Sequence, residues 1–201
     1  RRPLRRKLQY IPQDALSSFD PRYRVQDIIA ENLAGLPERK QQRERIVSLL
    51  ELVGLSAEYL ERRPRSLSGG QRQRVSIARA LAAEPALIVC DEPVSALDIC
   101  IQAQVLDLLA ELQSKLGMAL LFISHDLGVI EHLADRVLVF HDGRVVEQGT
   151  VEAVLGHPQQ PYTRALLAAV PDIQRGLTAR AQVAGAIVAG PAQGTEAATG
   201  G

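Results

Sequence analysis

Residues 67–93 read "LSGGQRQRVSIARALAAEPALIVCDEP", a Ser-Gly-Gly turn opening a helical stretch, followed by an apolar run that ends in two acids. The first amides of an α-helix lack intrahelical acceptors and carry partial positive charge, so Ser68, Gly69 and Gly70 predict a turn able to grip an anion. A bare Ser-Gly-Gly would more simply be a helix cap, but the residues beyond it give it a chemical setting. Glu84-Pro85 ends the helix, and "ALIVC" is the short continuous run expected of a strand buried on both faces of a parallel sheet. Asp91 and Glu92 then fall at the C-terminal end of that strand, where open α/β sheets place their ligands. Two acids there are costly unless used or paired; one could hold Mg²⁺ through water and the other could polarise an attacking water.

Outward from this stretch, strand and helix patterns alternate. "KLQYIP" reads as a short strand, "QDALSSFDPRYR" as a loop, and "VQDIIAENLAGL" and "ERKQQRERIVSLLELVGL" as helices punctuated by Gly35-Leu36-Pro37. Beyond Glu92, "IQAQVLDLLAELQSKLG" predicts an amphipathic helix, "MALLFIS" a buried strand, "LGVIEHLA" a helix, and "RVLVFHDGRVVEQG" a hairpin turned at Asp142-Gly143. "TVEAVLG" and "PYTRALLAAV" add two helices before a Gly-, Ala- and Thr-rich tail, expected to be flexible from about Gly190. The class is α/β, a mostly parallel sheet with crossovers and an inserted helical portion. His125 follows the second buried run, and adjacent parallel strands would bring it to the rim that carries Glu92.

Composition narrows the function classes. A chain of 201 residues, 46% hydrophobic, can bury a core. Its 23 basic and 23 acidic residues cancel and only 3% are aromatic, which disfavours bulk nucleic-acid binding; the leading "RRPLRRK" reads as a solvated segment. Cys90 and Cys100 have no partners at metal-ligand or disulfide-framework spacing and read as buried small hydrophobes, so neither a zinc site nor an iron–sulfur cluster is expected. No apolar run approaches the roughly 20 residues that span a bilayer, so any membrane role would be peripheral.

These elements resemble the nucleotide-binding subunit of an ATP-binding-cassette (ABC) transporter. Leu67-Ser68-Gly69-Gly70-Gln71 is similar to the family signature, "ALIVCDE" to its Walker B strand, Ser95-Ala96-Leu97-Asp98 to the D-loop, His125 to the switch histidine and Gln13 to the Q-loop glutamine, in family order over about residues 5–170. "PQDALSSFDPRYRVQDIIAENL" and "HPQQPYTRALLAAVP" resemble the oligopeptide, dipeptide and nickel importer branch. The resemblance implies a P-loop NTPase fold, with the end of the N-terminal core at 1–14, a helical subdomain at 15–65, the ATPase core at 66–150, a C-terminal extension at 151–175 and a low-complexity tail at 176–201.

By that resemblance the ligands are ATP and Mg²⁺. Asp91 organises the ion, Glu92 is the general base, His125 steadies the γ-phosphate and water, and Gln13 links the ion to the helical subdomain. Ser68, Gly69, Gly70, Gln71 and Asp98 would contact ATP, the signature turn reaching nucleotide held by an opposing cassette. Partners implied are a second ATP-binding subunit, transmembrane permease subunits and, indirectly, a solute-binding protein, at the cytoplasmic face of the membrane. No Gly-x-x-x-x-Gly-Lys-Ser/Thr phosphate loop occurs in the sequence. The reading is therefore a piece of a longer cassette, inactive alone and prone to fold marginally. The alternative is a non-catalytic chain that donates its signature in trans, with repair and translation cassettes disfavoured by the absence of coiled-coil insertions and zinc motifs.

Overall fold

The computed structural model describes residues 6–33 and 38–169. The Gly35-Leu36-Pro37 punctuation, most of the leading basic run and the tail lie outside the described residues. The chain divides into two compact units, residues 1–129 and 130–201, a boundary that falls inside the segment 66–150.

In the first unit, β1 (Leu8–Ile11), β2 (Leu87–Asp91) and β3 (Ala119–Ile123) form a parallel sheet in the order β1-β2-β3. Its register sets Leu8 beside Leu87 and Leu87 beside Ala119, so the C-terminal ends of β2 and β3 reach the same rim at Asp91 and Ile123. Between the strands lie α1 (Val25–Ala30), α2 (Arg39–Leu52), α3 (Gly69–Leu81) and α4 (Ile99–Leu116), and α5 (Leu127–Leu133) follows β3.

The helix ends follow local chemistry. The Ser68 hydroxyl accepts the Gln71 amide at 3.2 Å while the Gln71 side chain accepts the Ser68 amide at 2.9 Å, a reciprocal cap that starts α3. Its far end is set by Pro85, which disfavours helical backbone at the preceding residue; Glu84 takes φ 52°. Asp98 caps α4 by accepting the Ile101 amide at 3.0 Å, and Gly117, at φ 64°, closes it in the left-handed conformation that glycine adopts without a Cβ penalty. The helix expected over "VQDIIAENLAGL" stops at Ala30, because Asn32 turns its side-chain amide to Gln9 Oε1 at 2.8 Å and to the Arg79 carbonyl at 3.0 Å.

The core lies where the helices meet and on one side of the sheet. Val25, Ile28 and Ile29 of α1, Leu49 and Leu50 of α2, and Val75, Ile77 and Ala78 of α3 are buried, as are Ile11, Ile88 and Cys90 of the sheet. Arg79 stitches the loop after β1 to α3: its guanidinium donates to the Ser18 carbonyl at 3.0 Å and hydroxyl at 2.9 Å and lies 5.0 Å from the Phe19 ring centroid.

Three expectations are corrected. The β2 run is fully buried on one face only, through Ile88 and Cys90, with Leu87 and Val89 half-buried. Among the described residues the "MALLFIS" strand is only partly covered: Leu121 and Ile123 are nearly half exposed on the face that also shows Leu8 and Tyr10. Of the two cysteines only Cys90 is buried, its thiol pushed up to about 12 by desolvation; Cys100 sits on the exposed side of the first turn of α4.

In the second unit, β4 (Arg136–His141) and β5 (Arg144–Thr150) make an antiparallel hairpin. Asp142 and Gly143 both take positive φ, 47° and 74°, as a two-residue primed turn requires. A π-helical turn (Glu152–Gly156) leads to α6 (Pro161–Ala168), whose Tyr162 ring lies 3.9 Å from that of His141. Glu147 of β5 accepts the amides of Gln159 at 2.7 Å and Gln160 at 3.1 Å, fixing the start of α6 on the hairpin. The Thr163 hydroxyl, these two amides and Arg164 hold its carboxyl below the usual range.

Candidate functional site

At the C-terminal rim of the sheet, side chains from separate chain segments converge on Glu92. Glu92 leaves β2 at φ 43°, a left-handed backbone that non-glycine residues rarely adopt, and its amide donates to the Ile123 carbonyl at 2.9 Å. That turn aims the carboxylate across the rim. Oε1 lies 2.8 Å from His125 Nδ1, and Oε2 accepts the Gln13 side-chain amide at 3.1 Å. The same Gln13 amide donates to Ser95 Oγ at 3.2 Å, and the Ser95 hydroxyl donates to the Glu92 carbonyl at 3.0 Å. The hydrogen bond to the Glu92 carboxylate and its charge, with a smaller contribution from Asp126, raise His125 above the ordinary imidazole value despite an opposing desolvation effect. With Nδ1 engaged, Nε2 is the ring nitrogen that can face a ligand.

One residue earlier, Asp91 Oδ2 accepts the phenol of Tyr10 at 2.8 Å. That bond, with partial desolvation and the nearby negative charge, pushes the phenol up, so Tyr10 stays a donor. Among the described residues no group of three His, Cys, Asp or Glu side chains could hold a metal unaided. The oxygen donors that Asp91 and the Gln13 carbonyl offer nonetheless suit Mg²⁺, which favours one or two protein ligands with the remainder from phosphate and water.

The signature turn forms a separate cluster. Besides the reciprocal cap of Ser68 and Gln71, the Gln71 amide group donates to the Tyr59 hydroxyl at 2.9 Å, and Arg72 donates to the Leu67 carbonyl at 2.9 Å. A Cβ on Gly70 would stand 2.5 Å from Ile101 Cγ2, and one on Gly69 would stand 3.1 Å from Leu97 Cδ2. Gly70 thus lets α3 begin against the first turn of α4, and Gly69 lets it pass close to Leu97 in the loop before that helix, whatever else they do. Ser68 itself is exposed, and the amides of this first turn have no intrahelical acceptors. Asp98 spends one carboxylate oxygen on capping α4, a structural task that the sequence does not announce.

The structure therefore brings Gln13, Glu92 and His125 together, sets Asp91 beside them on β2, and gathers Ser68, Gly69, Gly70 and Gln71 at the start of α3. No hydrogen bond among the described residues joins the two groups. Sequence reasoning missed Tyr10, Ser95 as a bridge, and Tyr59. Tyr10 was accessible in principle, since alternation along β1 puts it on the opposite face from Ile11, but the β1–β2 register that pairs it diagonally with Asp91 is not written in either strand.

A parallel sheet bearing a Gln–Glu–His constellation at its rim, next to a helix opened by Ser-Gly-Gly-Gln, defines the chain as an ATP-binding-cassette protein of the P-loop NTPase fold. The chain belongs to the ABC transporter family: residues 1–95 match the family described as "ABC transporter", and residues 146–195 match "Oligopeptide/dipeptide transporter, C-terminal region". It is 47% identical over 175 residues to the dipeptide transport ATP-binding protein DppF of Haemophilus influenzae, covering 86% of this chain and 54% of that protein. It is 50% identical over 184 residues to the oligopeptide transport ATP-binding protein OppF of Escherichia coli, covering 88% of this chain and 55% of that protein. The chain thus spans about half the length of the curated relatives it matches.

Among solved structures, cbiO1 from Clostridium perfringens, part of the ABC transporter complex cbiONQ, superposes with a TM-score of 0.70 at 25% identity, over 88% of this chain and 69% of that one. A dimeric ATP-binding cassette in a post-hydrolysis state, bound to ADP and phosphate, gives a TM-score of 0.63 at 28% identity, over 73% of this chain and 64% of that one. Within the described residues no helix is long and apolar enough to cross a membrane.

Proposed function

We propose that this chain is the ATP-hydrolysing part of an importer for oligopeptides, dipeptides or a related small solute, attached to the cytoplasmic face of the membrane through permease subunits. The observation that carries the reading is the convergence of Gln13 and His125 on the two carboxylate oxygens of Glu92 at the rim of a parallel sheet. A carboxylate held in this way is oriented before substrate arrives, which is what a general base requires. Glu92 takes the proton of the attacking water. His125, bonded through Nδ1, presents Nε2 toward the phosphate and stabilises the charge that develops there. Asp91 and the side-chain carbonyl of Gln13 are the residues that would hold Mg²⁺, which when bound would neutralise phosphate charge.

The second cluster suggests the partner. The exposed N-terminus of α3, satisfied internally except for its first amides, fits contact with nucleotide bound by an opposing cassette, so two chains would close around ATP. Gln13 lies on the loop that Arg79 binds to α3, and this links events at the rim to the helical portion that would face the permease. Peptide as the cargo class rests on the similarity of residues 146–195 to the peptide-transporter C-terminal region and on the names of the relatives.

The test is uptake of a labelled di- or tripeptide by cells that depend on this gene. Glu92→Gln, at unchanged protein level, is expected to lower uptake by about 100-fold or more, in line with loss of a general base. Undiminished uptake would overturn the assignment of Glu92, and uptake that never depended on the gene would overturn peptide as cargo.

A further inference from the structure

Asp91 accepts one side-chain hydrogen bond among the described residues, and it comes from outside its own strand: the phenol of Tyr10, at 2.8 Å on Oδ2. The register explains how they meet. Tyr10 pairs with Val89, and side chains two apart on a strand share a face, so Tyr10 and Asp91 are diagonal neighbours on the open face of the sheet, within reach of an aromatic side chain. Tyr10 is half exposed, so its hydroxyl is not forced onto Asp91 by burial. Asp91 ends β2 and lacks the bracing that Gln13 and His125 give to Glu92.

We infer that Tyr10 is a positioning residue for Asp91, its hydroxyl fixing the carboxylate through Oδ2 so that Oδ1 is presented to a divalent cation. The inference rests on the reading of Asp91 as the residue that holds Mg²⁺. A hydrogen bond of this kind orients a ligating carboxylate, and removing such partners commonly weakens metal affinity by about 10- to 100-fold. The opposite sign has a clear meaning too, since a phenol that competed with the cation for the carboxylate would weaken binding, and its removal would tighten it.

The experiment is titration of the assembled complex proposed above with Mn²⁺ in the presence of ATP, followed by electron paramagnetic resonance of free Mn²⁺, for wild type, Tyr10→Phe and Asp91→Asn, with thermal melts of the metal-free proteins alongside. Tyr10→Phe keeps the ring and removes only the hydroxyl. The expected result is a site lost in Asp91→Asn and weakened about tenfold in Tyr10→Phe, with the metal-free melt of Tyr10→Phe unchanged. Affinity equal to or tighter than wild type in Tyr10→Phe, beside a clear loss in Asp91→Asn, overturns the inference and leaves the reading of Asp91 intact. A lowered affinity matched by a lowered metal-free melt assigns the phenol to packing and also overturns it. Equal Mn²⁺ binding by wild type and Asp91→Asn overturns the reading of Asp91, and the inference with it.

Discussion

The rim around Glu92 and the turn at Ser68 are both polar and both lie at the ends of regular elements, yet they are built in opposite ways. At the turn, the hydrogen bonds serve the fold: Ser68 and Gln71 cap each other, and Gly70 admits the first turn of α4. At the rim, Gln13 and His125 reach from other segments to hold the carboxylate of Glu92, a residue whose backbone is left-handed. Local order is secured by the turn, whereas the rim holds the polar side chains proposed for catalysis in place at a local cost. Substitutions at the turn should therefore register first in stability, and substitutions at the rim first in protonation and catalysis.

The sharpest way to break that contrast is Gly70→Val. Its Cβ would meet Ile101 Cγ2 at 2.5 Å, so α3 or α4 must shift, and chemical denaturation should show a loss of about 1–3 kcal/mol. Asp98→Ala removes the cap of α4 and should cost about 1 kcal/mol in the same measurement. Ser68→Ala removes half of a reciprocal cap on an exposed turn, and about 0.5–1 kcal/mol is expected. A denaturation midpoint unchanged by all three would mean that the turn is not a structural device.

The rim should behave differently. Glu92→Gln keeps the size and shape of the side chain and is expected to move the titration of His125 down toward the ordinary imidazole value. The sign is fixed by the shift: His125 is raised in the folded state, so its pairing with Glu92 is fully present below the ordinary histidine value. The pairing is lost as pH rises through the raised one. Proton–nitrogen NMR of the His125 ring across that range checks both statements. An unmoved His125 titration would remove the pair from the account.

How much of this could be read beforehand depended on range along the chain. The start of α3 was legible to within two residues, since either Ser66 or Ser68 could cap a helix opening at the double glycine, and the structure uses Ser68. The rim position of Asp91 and Glu92 was legible because a short apolar run ending in acids announces the end of a strand. The nearness of His125 to Glu92 followed from expecting their strands to be parallel neighbours, whereas the left-handed turn at Glu92 and the bond from Gln13 depend on geometry that no local pattern specifies. The same limit explains β3. "MALLFIS" is as apolar as an interior strand, and only the packing around it shows Leu121 and Ile123 open among the described residues. The glycines misled in a second way: their fitness for an anion and their clearance from Ile101 call for the same residue, and sequence cannot separate the two reasons.

The central claim is that Glu92 is a base poised by its neighbours and that the Ser68 turn acts on nucleotide without taking part in proton transfer. Its most direct test is Mg²⁺-dependent phosphate release, with parallel measurement of bound ATP, by the importer complex proposed for this chain, comparing wild type, Glu92→Gln and Ser68→Arg. The account predicts that both variants lose release by about 100-fold or more, with ATP retained in Glu92→Gln and not in Ser68→Arg. Phosphate release in Glu92→Gln at the wild-type rate would contradict it.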